Sequence, residues 1–328
     1  MMFSKSRSLA TLGMTIRVAA LSLFAAAATI VCSSSAAAPV QPPVQPPVHP
    51  VDSVPPVDSV PPTPPASECS APKAAWIFCD DFEIDRTSKY YEYDNAGGKF
   101  VRTPASGYGG SVGMRATYTA GQANAGSLHL AFGRTPSSYF KPADAGTANY
   151  RELYWRFYVY RQSGWVGNGP GKMTRVTIFA KADYSQAMIA HGWTSDTDDR
   201  YFLLDPATGT DANGNVVTVG YNDFTRLVWL GAMPSAQAEE DQTHVGKWAC
   251  YEFHVKLNAA GQSNGVFELT INGQPSARKT GLNFVSSYAA YGINALFLEQ
   301  YQNDGAPAAN VRVFDNLVVS TQPIGCLP

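Results

Sequence analysis

The segment Tyr150-Arg151-Glu152-Leu153-Tyr154-Trp155-Arg156-Phe157-Tyr158-Val159-Tyr160-Arg161 decides the fold class. Read in steps of two, it puts Leu153, Trp155, Phe157 and Val159 on one side and Tyr150, Glu152, Tyr154, Arg156, Tyr158 and Tyr160 on the other. A period of two belongs to a strand, whose successive side chains point to opposite faces. The first set reads as core, the second as an aromatic and polar face.

The same period recurs downstream. In Lys172 to Lys181, Val176, Ile178 and Ala180 point inward, while Arg175, Thr177, Phe179 and Lys181 point outward. Trp248 to Leu257 and Val266 to Ile271 read as a hairpin with Tyr251, Phe253, Val255, Leu257, Phe267, Leu269 and Ile271 inside. Asn272-Gly273 then supplies a tight turn, because glycine tolerates φ > 0 there. Ala295 to Tyr301 sets Leu296 and Leu298 against Phe297, Glu299 and Tyr301, and Val311 to Val319 gives a closing strand. No amphipathic run is long enough for a major helix. The fold class predicted is all-β: an antiparallel β-sandwich of jelly-roll type spanning 68–328, after a disordered N-terminal segment.

That leading segment divides in two. Residues 1–38 run from Lys5, Arg7 and Arg17 into the apolar stretch Val18 to Val31 and then into small residues, the order of a secretory signal. About 14 apolar residues fall short of the roughly 20 that span a bilayer as a helix. Residues 39–67 repeat Val-Gln-Pro-Pro and Val-Asp-Ser-Val-Pro-Pro, a proline-rich tether of extended polyproline type that would hold the domain away from a cell envelope.

Removing the first 38 residues, with three basic side chains and no acid, takes the formal net charge from −2 to −5. That balance argues against nucleic acid as a partner and leaves room for an acidic polymer in a local basic cleft. Cys69, Cys79, Cys250 and Cys326 are an even set suited to an oxidising compartment and allow three pairings. Cys69–Cys79 with Cys250–Cys326 is preferred, and Cys79–Cys326 is the alternative. Cys32 is either a lipid-anchor site or is discarded with the signal. No Cys-x-x-Cys spacing suggests zinc. A monomer without cofactor is expected. The calcium alternative falls on two oxygen-rich stretches, Asp196, Asp198 and Asp199, and Asp205, Asp211, Asn213 and Asn215.

Cys79-Asp-Asp-Phe-Glu83, the Trp-x-x-Tyr-Glu-Phe-x-Val strand from Trp248, Phe267-Glu-Leu-Thr-Ile-Asn-Gly273 and Phe314-Asp-Asn-Leu-Val-Val319 together resemble the concanavalin A-like lectin/glucanase superfamily. More narrowly they look like jelly-roll polysaccharide lyases of the alginate and heparin lyase type, over nearly all of 76 to 322. The resemblance implies a glycan groove in which an arginine-bearing strand, a histidine on a second strand and a tyrosine on a late strand meet. Tyr150 to Arg156 is similar to the first, His191 to the second and Tyr301 to the third.

Cleavage of a uronate polymer by β-elimination needs its carboxylate neutralised, a base for C5–H and an acid for the leaving oxygen. Arg156 or Arg175 is the candidate for the first role, His191 for the second and Tyr301 for the third. Tyr150, Glu152, Tyr154, Tyr158, Phe179, Lys181 and Glu299 are the candidate substrate-binding residues. Tyr154, Arg156, Arg175, His191 and Tyr301 are expected to line a single groove. His244 and His254 read as surface residues. The function expected is a secreted or surface-tethered polysaccharide lyase. A non-catalytic glycan-binding or adhesion module is the alternative, and a glycoside hydrolase using Glu152 and Glu299 comes third.

Overall fold

The computed structural model describes residues 67–167, 169–194 and 200–328. The Cys32, signal and tether readings, and the Asp196, Asp198 and Asp199 stretch, lie outside the described residues. The strands are β1 (Trp76–Asp80), β2 (Glu92–Asp94), β3 (Phe100–Thr103), β4 (Gly113–Tyr118) and β5 (Asn124–Ala131). Then come β6 (Glu152–Arg161), β7 (Gly171–Phe179), β8 (Gln186–Thr194), β9 (Tyr201–Thr208), β10 (Val228–Trp229) and β11 (Met233–Ala238). The last five are β12 (Trp248–Lys256), β13 (Gly265–Ile271), β14 (Gln274–Leu282), β15 (Ala295–Gln302) and β16 (Asn310–Ser320).

They form two eight-stranded antiparallel sheets. The first runs β14-β13-β12-β6-β16-β4-β3, with β1 also on β16; the second runs β10-β9-β8-β7-β15-β5-β2, with β11 also on β9. The inward sets predicted from alternation fill the space between them. Leu153, Trp155, Phe157 and Val159 of β6 lie beside Tyr251, Phe253 and Val255 of β12, facing Val176 and Ile178 of β7 and Leu296 and Leu298 of β15. The Trp155 and Phe253 rings stack at 4.8 Å. Trp155 also donates its indole N–H to Thr174 Oγ1 across the sandwich, which satisfies its buried polar atom. Each such side chain taken from water contributes about 1.5–3 kcal/mol.

Asn272 (φ 51°) and Gly273 (φ 76°) make the turn between β13 and β14, with Ile271 opposite Gln274. Both disulfides of the preferred pairing are formed, Cys69–Cys79 and Cys250–Cys326. Among the described residues no helix is long and apolar enough to cross a membrane.

One expectation fails at this level. β6 belongs to the first sheet, whereas β7, β8 and β15 belong to the second, so the outward faces of these strands look in opposite directions. Tyr154, Arg156 and Tyr158 therefore do not share a groove with Arg175, His191 and Tyr301.

Candidate functional site

On the outer face of the first sheet, Arg156 is fully enclosed and donates to Glu68 Oε1 at 2.5 Å. The Tyr158 hydroxyl accepts the Leu327 N–H, and Glu252 accepts the N–H groups of Ile324 and Gly325. Tyr108 lies on Tyr158 at 4.4 Å. Both ends of the domain, pinned by the two disulfides, thus close this face over Arg156 and Tyr158. Tyr154 stacks on His254 at 4.2 Å, and His254 is held between Glu152 and Glu268 at 2.9 and 2.6 Å. A cleft of about 200 Å³ remains beside the termini, with Glu68, Asp81 and Glu83 in its walls. Two of these carboxylates are spent on arginines, Glu68 on Arg156 and Asp81 on Arg86, so the cleft offers an acidic chain no free cation from these pairs.

The second sheet carries a different set. Strand register places His129 of β5, Phe297 of β15, Arg175 of β7, His191 of β8 and Asp205 of β9 in one outward row. A further row, reached after four residues of β15, three of β7 and two of β8, holds Tyr301, Lys172 and Trp193. Glu299 stands between the rows and accepts from Arg175 Nη2 at 2.9 Å. The loop 219–229 folds onto the same face. Asn222 Oδ1 accepts from Arg175 Nη1 at 2.7 Å, and the Tyr221 hydroxyl accepts from Nη2.

Arg175 and His191 are fully buried. Burial, helped by the nearby Arg175 and Lys172 charges, holds the His191 imidazole well below its ordinary range, so it is neutral. Its Nε2 lies 3.9 Å from Glu299 Oε2. Arg175 Nε, both His191 nitrogens, Trp193 Nε1 and Glu299 Oε2 have no hydrogen-bond partner among the described residues. Buried polar atoms without partners cost about 1–3 kcal/mol each, so five in one cluster mark a place that needs water or a ligand.

The open part of this face is a cleft of about 600 Å³ bounded by Lys172, Trp193, Asp205, Phe224, Trp229 and Tyr301. A second cleft, of about 320 Å³, meets it at Lys172 and Tyr301 and continues past Glu299 to His129. Trp229 stacks with Trp193 at 5.8 Å and with Phe224 at 6.1 Å, an aromatic wall suited to sugar rings. The Lys172 ammonium lies 4.6 Å from the centre of the exposed Tyr301 ring. Burial pulls Lys172 below its ordinary value, with Glu299 opposing and Arg175 adding to the effect.

Of the sequence-predicted residues, the structure brings together Arg175, His191, Glu299 and Tyr301. Arg156, Tyr154, Tyr158 and Glu152 stand on the other sheet. Tyr150 donates its hydroxyl to Asp144 and packs against the core edge. Phe179 is on the correct face but sealed under Tyr91, Phe140 and Tyr184. Lys181 is exposed in the turn beyond β7. Asp211 accepts from the backbones of Asn213 and Asn215 and from the Asn215 side chain, a self-satisfied turn. Among the described residues no group of three or more His, Cys, Asp or Glu is placed to hold a metal.

Sequence reasoning missed Lys172, Trp193, Phe224, Trp229 and His129. Trp193 was readable, since it follows His191 by two. Lys172 was not, because an irregularity between Lys172 and Thr174 shifts the alternation and turns out a residue that strict parity places inside.

No family model matches the chain, and no curated protein sequence does. Solved structures do match. The endo-β-1,4-glucuronan lyase of the fungus Trichoderma reesei superposes with a TM-score of 0.51 at 10% identity, covering 75% of this chain and 96% of its own. The marine alginate lyase of Aplysia kurodai superposes with a TM-score of 0.52 at 11% identity, covering 76% of this chain and 100% of its own. The chain shares the jelly-roll fold of these two proteins. At this identity the likeness speaks for the fold, and the chemistry has to be argued from the groove.

Proposed function

We propose that the protein is an exported lyase that cleaves an acidic polysaccharide in the groove on the outer face of the second sheet. The observation that carries this reading is the meeting of Lys172, Arg175, His191, Glu299 and Tyr301 beside an aromatic-walled cleft, with five of their and Trp193's polar atoms unpartnered. Lys172 faces the cleft as a cation and is the group to meet the uronate carboxylate. Arg175, whose two Nη atoms are engaged by Glu299, Asn222 and Tyr221, adds positive potential from beneath and holds the loop in place.

In β-elimination the C5 proton passes to a base, the C4–O bond breaks, the departing oxygen takes a proton and a C4–C5 double bond forms. Tyr301, exposed at the junction of the clefts, is the proton donor to that oxygen. His191 is neutral and has two unpartnered nitrogens, so it is free to accept a proton. Catalytic contacts that are long in a free enzyme commonly tighten only when substrate binds. Export rests on the N-terminal signal and tether and on the two disulfides.

A second reading, a glycan-binding module, is favoured by one specific fact: His191 is 1% exposed. The test mixes the purified protein with glucuronan, alginate, hyaluronan and heparin and follows the ultraviolet absorbance of the unsaturated uronate. Rising absorbance on at least one polymer is expected. Retention on a polysaccharide column with no absorbance change on any of them would establish the binding module instead.

A further inference from the structure

The far end of the groove carries an imidazole outside the cluster assigned to elimination. His129 lies in the register row of Phe297 and stacks on it at 3.9 Å. Its Nδ1 is 2.8 Å from Glu92 Oε2. Glu92 is fixed in turn by the hydroxyls of Tyr139 and Tyr184, at 3.1 and 3.0 Å through Oε1. A carboxylate held this way keeps Nδ1 as the donor, so a change of protonation is expressed at Nε2. The His129 side chain is 13% exposed and helps line the cleft that runs to Tyr301. Four residues of β15 separate the Phe297 register from Tyr301, at most about 13 Å at the rise of a strand because the register shifts between Glu299 and Tyr301, and that reach is more than one sugar ring.

We propose that His129, oriented by Glu92, binds a second uronate carboxylate of the polymer when its imidazole is protonated, so that the groove holds acidic chains more tightly on acidification. The inference rests on the reading of this groove as a uronate site. With Nδ1 committed to Glu92, the neutral ring offers Nε2 as an acceptor, which repels a carboxylate and suits a sugar hydroxyl. Protonation turns the same atom into a charged donor. The other titratable or charged groups on the surrounding elements are Tyr91, Glu92 and Asp94 on the β2 side, Glu299 and Tyr301 on β15, Lys172 and Arg175 on β7 and His191 on β8. Tyr139, Tyr184 and Tyr221 complete the set from the loops. Of all these side chains only the imidazoles change charge over the range in which uronates stay ionised and lysine and arginine stay charged, and burial keeps that of His191 neutral.

The experiment measures calorimetric binding of hexameric oligoglucuronate and oligomannuronate, with cellohexaose as the neutral control, to the full chain carrying Tyr301→Phe to prevent turnover. Affinity for at least one oligouronate should rise about tenfold between about pH 8 and about pH 5.5, the worth of one charge-assisted hydrogen bond. Adding His129→Gln should abolish that rise. Without that second substitution, nitrogen NMR near pH 7 should show the His129 ring moving toward the doubly protonated pattern as oligouronate is added.

Persistence of the pH dependence in His129→Gln, an equal dependence for cellohexaose, or an unchanged ring pattern with ligand bound overturns the proposal. So does failure of both oligouronates to bind at either pH. The lyase reading fails separately, by absence of unsaturated product from the unsubstituted protein, and the pH-dependent binding can survive that failure.

Discussion

Arg156 and Arg175 are both fully buried arginines on the outward side of a sandwich strand, each beside a tyrosine and a glutamate. Around Arg156 the chain termini close down: Glu68 reaches it from one end, Leu327 bonds Tyr158 from the other, and two disulfides hold both in place. Around Arg175 the cover stops at Tyr221 and Asn222, and the neighbouring Lys172, Trp193 and Tyr301 stay open to a cleft. Similar residue types thus serve closure on one sheet and leave an opening on the other. The difference lies in what the rest of the chain lays across them.

The sharpest way to break this contrast is a pair of identical substitutions. Tyr301→Phe removes the hydroxyl assigned to proton transfer and should lower kcat on the active polymer by about a hundred- to ten-thousandfold, with KM little changed. Tyr158→Phe, on the closed face, should leave kcat within about twofold and act on stability through the lost bond to the Leu327 N–H. Equal losses of activity in the two variants would refute the assignment of the groove to the second sheet.

The fold was legible because burial leaves a mark of period two on each strand. Leu153 to Val159, Tyr251 to Leu257 and Leu296 with Leu298 all face the core as alternation requires. The site was legible only in part, for a reason Arg156 makes plain. Alternation says that Arg156 points away from the core, yet each sheet has an outside, and pairing partners decide which outside is meant. β6 pairs with β12 and β16, and nothing within 150–161 specifies that. Lys172 was hidden by the irregularity in β7, and Phe224 and Trp229 by lying in or beside a loop, where no periodicity applies.

Closing the first face has an electrostatic cost that can be measured. Asp315 of β16 lies opposite Tyr158 and accepts from Tyr108 N, Ser111 Oγ and Asn316 N. Burial nevertheless outweighs these bonds and raises its pKa to about 7. Between about pH 4 and pH 7 the folded protein therefore keeps a proton that the unfolded chain releases, and stability falls as pH rises. The full effect is on the order of 4 kcal/mol. Asp80, raised by burial to about 6, adds to the same slope. Asp223 and Asp241, lowered to about 2 chiefly by hydrogen bonds from Arg226 and Thr243, act below this window. Thermal unfolding of Asp315→Asn across pH 4 to 7 should show a clearly flatter profile than the parent, with a residual slope from Asp80. An unchanged slope would mean that Asp315 is not enclosed, and that the first face is more open than the termini make it.

The smallest effect separates two histidines that look alike in contacts. His254 on the first sheet and His129 on the second each stack on an aromatic ring and pair with a glutamate. Each lines a cleft, but His254 spends both nitrogens, on Glu152 and Glu268, whereas His129 has only Nδ1 engaged and its cleft runs to Tyr301. A part-exposed ion pair contributes little, because solvent screens it and ordering the side chains costs entropy. His254→Gln should therefore lower unfolding stability by about 1 kcal/mol or less in denaturant titration, most of it from the lost stack on Tyr154, and leave oligouronate affinity unchanged at every pH. His129→Gln should do the reverse, with little change in stability and a lost pH response in binding. If His254→Gln altered oligouronate affinity, the first sheet would have to be counted as a glycan surface and the division between a closed and an open face would fall.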